Sequence, residues 1–160
     1  MKKLLTVITL GLSLISFAGP RKALDEATKS QLIKVLEKNE ALHASFFEYK
    51  GEEVEKNAKE LINAISEVKN EEVAKLLKFS SEKLATLTKD EDRQKNNDTY
   101  GLFSAALVHV VNTYDVGEGY NAYQCPMVKK KWVQNSKKMN KVHNPYAPEM
   151  PNCGGKITRF

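Results

Sequence analysis

Residues 51–87, GEEVEKNAKELINAISEVKNEEVAKLLKFSSEKLATL, decide the predicted fold class. The stretch is rich in Lys, Glu, Ala and Leu and contains no proline, a composition typical of helices. Asn70 can cap the N-terminus of a helix. The carboxylates of Glu71 and Glu72, which follow it, would interact favourably with the positive end of the helix dipole. Apolar residues recur at three- and four-residue steps, which predicts two amphipathic helices. The first apolar stripe is Val54, Ala58, Leu61, Ile65 and Val68, and the second is Val73, Leu76, Leu77, Leu84 and Leu87.

The same helical pattern extends on both sides of this stretch. Between residues 24 and 115 the chain has no proline and only two glycines. A first helix is predicted to run to about Tyr49, where Gly51 ends it, and a fourth helix over about 91–114. Four amphipathic segments joined by short polar breaks predict an all-α protein, an antiparallel up-and-down four-helix bundle over residues 24–115.

The C-terminal tail, residues 116–160, has a different composition. It holds both cysteines, the only tryptophan, four of the five prolines and three of the four methionines. Because proline interrupts helical hydrogen bonding, the tail is predicted as irregular loops laid against one end of the bundle, with a short helix over about 128–139. Bundle and tail together are predicted to form a single helical domain, residues 19–160.

The N-terminus, residues 1–18, reads as a cleavable signal peptide. Lys2 and Lys3 precede an apolar run, and Ser16 and Ala18 supply the small side chains that a signal peptidase recognises. The run is shorter than the roughly 20 apolar residues that a membrane helix needs. Cleavage after residue 18 leaves 142 of the 160 residues, the size of one domain. We therefore expect an exported protein, periplasmic or secreted, with no membrane span after cleavage.

Charge and motifs restrict the function classes. The formal net charge of +5 falls to +3 when Lys2 and Lys3 are removed with the signal peptide. Nucleic-acid binding requires a denser basic surface with interleaved aromatic residues, so no nucleic-acid partner is expected. Six lysines between residues 129 and 141 fit either a dock for an acidic partner or a solvated helix surface. The chain has no nucleophile elbow, phosphate-binding glycine loop, zinc-protease motif or haem-attachment motif. We expect that it is not an enzyme.

Sulfur side chains are concentrated at two places in the tail. Cys125 and Met127 flank one proline, and Met150 and Cys153 lie three residues apart around another. Thiolate and thioether groups are soft donors that suit Cu(I) and similar metals. If the two halves meet in the fold, they offer up to four sulfur ligands to one ion.

Histidines could complete such a site. His143 lies next to the second half of the tail motif, and His109 lies in the predicted fourth helix. Neutral imidazole also binds copper, so both residues are candidate ligands, and His43 in the first helix is a further one. A single histidine on a helix is more often a partly exposed residue than a ligand.

The same cysteines fit a structural interpretation. An exported protein with two cysteines is expected by default to join them as a disulfide. A Cys125–Cys153 disulfide would close the tail into a loop and stabilise the fold by about 3 kcal/mol. Residue chemistry alone places this disulfide ahead of a metal site. The chain would then be a disulfide-stapled structural or protein-interaction module.

The tail resembles a known family in the order of its motifs. A bundle followed by Cys-Pro-Met, a tryptophan, Asn-Pro-Tyr, a methionine and Cys-Gly resembles a bacterial exported domain of unknown function. That domain occurs alone or attached to periplasmic adaptor subunits of copper and silver efflux pumps. The positions that carry the resemblance are Cys125, Pro126, Met127, Trp132, Asn144, Pro145, Tyr146, Met150, Cys153 and Gly154.

The resemblance implies heavy-metal handling, with the Cys and Met residues as ligands. Added to the donor chemistry, it favours the metal site over the purely structural disulfide. The predicted function is that of a periplasmic heavy-metal-binding protein, with Cu(I) as the metal, in buffering, delivery or efflux. A metal-efflux adaptor or another periplasmic protein is the expected partner.

Overall fold

The computed structural model describes residues 20–158 and residue 160, so the predicted signal peptide lies outside the described residues. Four helices are followed by three short strands. The helices are α1 (Glu26–Ala44), α2 (Gly51–Ser66), α3 (Glu71–Leu84) and α4 (Arg93–Thr113), and the strands are β1 (Tyr120–Cys125), β2 (Lys130–Asn135) and β3 (Gly155–Lys156). None of the helices within the described residues is long and apolar enough to cross a membrane.

The helices begin where the sequence supplies capping side chains. Asp25 accepts a hydrogen bond from the Thr28 N–H at 2.8 Å, which satisfies a free donor of the first turn of α1. Asn70 accepts from the Val73 N–H at 3.1 Å, so its prediction as the cap of the third helix is confirmed. The four predicted helices are all present.

Gly51 has the opposite role from the predicted one. The first helix ends at Ala44, before Gly51, which is instead the first residue of α2. A Cβ atom on Gly51 would lie 2.8 Å from the carbonyl oxygen of Lys89. Glycine is required there because the start of α2 closely approaches the loop before α4.

The all-α prediction is wrong, because the tail forms a three-stranded antiparallel sheet in the order β2-β1-β3. The predicted helix over 128–139 is replaced by β2, whose partner β1 sets Tyr123 opposite Trp132 and Ala122 opposite Val133. Aromatic and β-branched residues favour a half-buried pleated surface. Burial of Trp132 and Val133 in the core outweighs the helical preference of the neighbouring lysines.

The sheet is attached to the helices by a row of aromatic rings. Phe46, in the turn that follows α1, stacks on Tyr100 of α4, with ring centroids 4.9 Å apart, and Tyr100 contacts Tyr146 of the tail at 5.7 Å. Tyr146 in turn meets Trp132 of β2 edge-on, and Trp132 stacks on Tyr123 of β1. Since β2 also packs against α4, the tail is part of the hydrophobic core rather than a loop laid over one end.

Candidate metal centre

The sheet brings the two cysteines side by side. Cys125 is the last residue of β1, and Cys153 lies just before β3, which pairs with β1 through Gln124 and Gly155. Both cysteines are free thiols; Cys125 is fully buried and Cys153 is half-buried. The two thiols are close enough that each shifts the pKa of the other. Antiparallel pairing thus joins the two halves of the tail motif.

Several hydrogen bonds stabilise the thiolate form of Cys125. Burial by itself raises the pKa of this thiol, but hydrogen bonds from Cys153, from the backbone N–H groups of Val128 and Met127 and from the Asn144 side chain outweigh burial. The net effect lowers the pKa of Cys125 below its ordinary value. Successive backbone N–H groups that converge on one atom make a site for negative charge, here supplied by the turn after β1.

Cys153 is the weaker acid of the two thiols. Its hydrogen bond to Cys125, its burial and the charge of Cys125 together raise the pKa of Cys153. The first proton therefore leaves Cys125, and the remaining proton on Cys153 is shared with the Cys125 sulfur. Such a pair has one thiolate available before the second thiol ionises.

Asn144 is a positioning residue that the sequence did not single out for this role. It is fully buried, its amide donates to the carbonyl oxygen of Cys153 at 3.1 Å, and the same side chain lowers the pKa of Cys125. Its carbonyl oxygen accepts from the Tyr146 N–H at 3.0 Å, and its own N–H donates to the Pro151 carbonyl at 2.7 Å. One side chain therefore fixes both the Asn-Pro-Tyr turn and the two cysteines.

Gly154 holds the chain against Trp132. Its φ of 148° is a conformation that favours glycine, and an added Cβ would lie 2.7 Å from the Trp132 ring and 3.2 Å from the Gln124 carbonyl oxygen. The Trp132 ring is itself fixed, because its Nε1–H donates to Gln134 Oε1 at 3.1 Å. This close approach of backbone to ring brings Cys153 beside β1.

The two methionines differ in their surroundings. Met127 lies in the hairpin turn with 69% of its surface exposed, while its backbone N–H lowers the pKa of both thiols. Met150 is half-buried, and its carbonyl oxygen accepts from the Cys153 N–H at 2.9 Å. The main chain at both methionines therefore lies at the thiol pair, and the Met127 side chain is largely in solvent.

The histidines lie in different surroundings from the thiols. His109 is exposed on α4, and the His143 ring lies at the end of α1, where it stacks on Phe47 of the following turn with centroids 3.5 Å apart. Among the described residues, the groups that shift the pKa values of the two thiols include no histidine. The predicted ligand set is thus divided, with the sulfur residues in one place and His143 in another.

An open depression gives access to Cys153, the less buried member of the thiol pair. It has a volume of about 440 Å³ and lies beside β3, lined by Pro126, Cys153 and Gly155 among others. Within residues 20–158 and residue 160, no group of three or more His, Cys, Asp or Glu side chains is arranged to hold a metal ion. Of the His, Cys, Asp and Glu side chains, Cys125 and Cys153 would therefore be the ligands of an ion at this position.

Comparison of the chain with known proteins finds no relative. No family model matches the chain, and no curated protein or solved structure matches it either. The resemblance of the tail to the exported domain stays a prediction. The centre is defined by the two thiols, the backbone N–H groups of the hairpin turn and the buried amide of Asn144.

Proposed function

We propose that this chain is an exported protein that binds Cu(I) through Cys125 and Cys153 and serves in copper buffering, delivery or efflux. The observation that carries the proposal is the pair of neighbouring free thiols, one member of which has a lowered pKa. Thiolates are the form of cysteine that binds metals, and soft sulfur donors favour Cu(I). The export signal over residues 1–18 supports a periplasmic or secreted location.

The donor set of the centre supports Cu(I) over the harder ions. Calcium and magnesium take oxygen ligands, and structural zinc sites usually take four Cys or His ligands. This centre offers two thiols, with the thioethers of Met127 and Met150 as the next donors in the chain. The backbone N–H groups of the hairpin turn and the Asn144 amide would stabilise the negative charge that two thiolates bring to the site.

A partner protein is part of the proposal, because buffering and delivery require that the metal be passed on. The exposed Met127 lies at the tip of the β1–β2 hairpin next to Lys129. A groove of about 550 Å³ beside the hairpin is lined by Lys129, Lys131 and the exposed Leu102 of α4. These charges suit an acidic surface on a metal-efflux adaptor or another periplasmic protein.

The second candidate function is a structural or protein-interaction module closed by a disulfide. The same contact between Cys125 and Cys153 favours it, since an oxidising compartment converts neighbouring thiols to a disulfide. Reduced and oxidised chains then have different properties: only the reduced chain has thiolates for Cu(I). The two functions are separated by the redox state in which the chain is found.

The test is a Cu(I) titration of the mature chain against a competing Cu(I) chelator, with free thiols counted beforehand. We expect the reduced protein to compete for one Cu(I) and the Cys125→Ser and Cys153→Ser variants to lose this competition. Met127→Leu and Met150→Leu test the thioethers, and Met139→Leu is the matched control because Met139 lies outside both motifs. Failure of the fully reduced protein to compete would overturn the proposal, and blocked thiols in the exported protein would favour the structural module.

A further inference from the structure

A pair of histidines at the junction of α1 and the tail forms a second cluster of metal-binding groups. His43 is in the last turn of α1 and is fully buried, with neither ring nitrogen in a hydrogen bond to any described residue. Leaving a buried polar group unpaired costs about 1–3 kcal/mol. Such groups are rare in folded proteins, and an unpaired buried imidazole indicates a partner that the protein itself does not supply.

His143 approaches the same point from the tail. Its ring centroid lies 5.5 Å from that of His43, and its Nδ1 is also buried without a hydrogen bond to the described residues. The ring is held in place by its stack on Phe47, and the backbone N–H of His143 donates to Gln134 Oε1 at 3.0 Å. Three unpaired ring nitrogens therefore lie together on two rings whose positions are fixed.

The spacing of the two rings suits a shared ion. With metal–nitrogen bonds of about 2.0–2.1 Å, two imidazoles in a tetrahedral site have ring centres roughly 5 Å apart. The observed centroid distance is 5.5 Å. An ion between the rings would supply a partner for one of the two unpaired ring nitrogens of His43.

Burial keeps both imidazoles in the neutral form that binds metals. Loss of solvent lowers the pKa of His43 to about 3, with a further lowering from His143, and burial also lowers the pKa of His143. The backbone carbonyl of His143 lies near the His43 ring and partly opposes this shift, although no hydrogen bond of normal geometry joins them. At neutral pH each ring thus has one nitrogen lone pair available.

The site is approached from the surface on the His143 side, because His43 itself is buried. A depression of about 320 Å³ is lined by His143, Phe47, Ser45, Glu48 and Asn57. His143 itself is half-buried and forms part of this wall. Water in the depression can complete the coordination of an ion that has two protein ligands.

We infer that His43 and His143 form a binding site for a divalent first-row transition-metal ion, separate from the thiol pair. Imidazole nitrogen suits Cu²⁺, Ni²⁺ and Zn²⁺, and Cu²⁺ binds most tightly among them. The site joins α1 to the segment that leads into Asn144. This inference does not depend on Cu(I) binding by the cysteines.

The experiment uses Cu²⁺ as the probe and the Cys125→Ser/Cys153→Ser double variant of the mature chain, which has no thiols to reduce the ion. We expect one equivalent of Cu²⁺ to bind, with electron paramagnetic resonance showing coordination by imidazole nitrogen. His143→Gln in this background should weaken binding by about tenfold or more, because it removes one of two protein ligands. His109→Gln, an exposed histidine on α4, should leave binding unchanged.

His43→Gln is the second ligand variant, and circular dichroism checks that it folds. If it does not fold, two results still test the metal site. One is the comparison of Cu²⁺ binding by His143→Gln and His109→Gln, and the other is the spectrum of the Cys125→Ser/Cys153→Ser chain. Equal Cu²⁺ affinity in these two variants, or a spectrum without imidazole nitrogen, would show that the pair is not a metal site. Since the background lacks both cysteines, neither result bears on the proposed Cu(I) function.

Discussion

The buried amide of Asn144 shows how one residue can control the chemistry of two others. Its side chain donates to the carbonyl oxygen of Cys153, accepts from the Tyr146 N–H and lowers the pKa of Cys125. Removing it leaves buried groups unpaired and removes a donor that stabilises the Cys125 thiolate. The acidity of Cys125 and the geometry of the tail therefore depend on the same side chain.

Asn144→Ala should raise the pKa of Cys125 and destabilise the fold by about 1–3 kcal/mol. The lowered pKa of Cys125 means that its thiolate forms at lower pH than that of an ordinary cysteine, so loss of one donor moves its alkylation profile to higher pH. Mass spectrometry of iodoacetamide-treated, metal-free chains measures this profile for each cysteine. Asn152→Ala, an exposed change in the same loop, is the control. Identical profiles for the two variants would contradict the assigned role.

Gly154→Ala should destabilise the protein by about 3 kcal/mol, because the new methyl group meets the Trp132 ring and the φ of 148° is unfavourable for alanine. Gly155→Ala is a matched control next door, where an added Cβ has no neighbour within 4 Å. Urea unfolding of the three chains gives the difference. If the two variants were equally stable, the close contact between residue 154 and Trp132 would be refuted.

At the scale of elements, the helices could be predicted and the strands could not. Helical periodicity and the Asn70 cap are local signals, so residues 51–87 already contain them. The pairing of β1 with β2 is set by burial of Trp132 against Tyr123 and the helices, a non-local effect. The two-residue strand β3 is too short to produce any periodic pattern.

The candidate centre was predictable in part for the same reason. Residue chemistry singles out the cysteines and methionines, since soft donors are rare and recognisable in a sequence. The contact between Cys125 and Cys153 depends on the sheet, which the predicted loops did not contain. Separation of His143 from the sulfur residues likewise depends on its stack with Phe47, which no sequence pattern shows.

The β1–β2 hairpin gives a prediction at this scale, through the left-handed backbone of Lys129, whose φ is 54°. A non-glycine residue there costs about 1–2 kcal/mol relative to the right-handed region, and glycine avoids that cost. Lys129→Gly should therefore be at least about 1 kcal/mol more stable than Lys131→Gly, which places glycine inside a strand. Thermal unfolding compares the two; a less stable Lys129→Gly would mean that the turn has another conformation.

The whole molecule is two layers joined at a few points, the helices and the sheet. The aromatic row from Phe46 to Tyr123 joins them at one place, and His43 with His143 joins them at another. Both junctions are buried, so the global free energy of unfolding reports on them. The His43–His143 junction makes this stability sensitive to pH, and the Cys125–Cys153 pair makes it sensitive to the redox state.

Acid should destabilise the metal-free protein through His43. Its pKa is lowered from 6.5 to about 3 in the folded state, so below pH 6.5 the unfolded chain takes up a proton that the folded chain does not. Stability should then fall by up to about 1.4 kcal/mol per pH unit between pH 6.5 and about 3. Urea unfolding in EDTA at several pH values tests this for the parent, His43→Leu and His109→Gln. Between pH 6.5 and about 5, above the range in which the carboxylates with lowered pKa values contribute, the first variant should have a smaller slope than the parent and the second should keep the parent's slope. Equal slopes in all three would assign the acid sensitivity elsewhere.

Oxidation should stabilise the whole chain by linking the end of β1 to the start of β3. A Cys125–Cys153 disulfide closes a loop of residues 125–153 and restricts the unfolded state, which gives about 3–4 kcal/mol in the chain-entropy description. For a chain of this size the melting temperature should rise by roughly 10 °C. Calorimetry of the reduced and oxidised proteins measures the shift, and the Cys125→Ser/Cys153→Ser variant should show none under either condition. A melting temperature that stays the same or falls on oxidation would mean that the thiols, rather than a disulfide, fit the folded centre, and it would weaken the structural module in favour of Cu(I) binding.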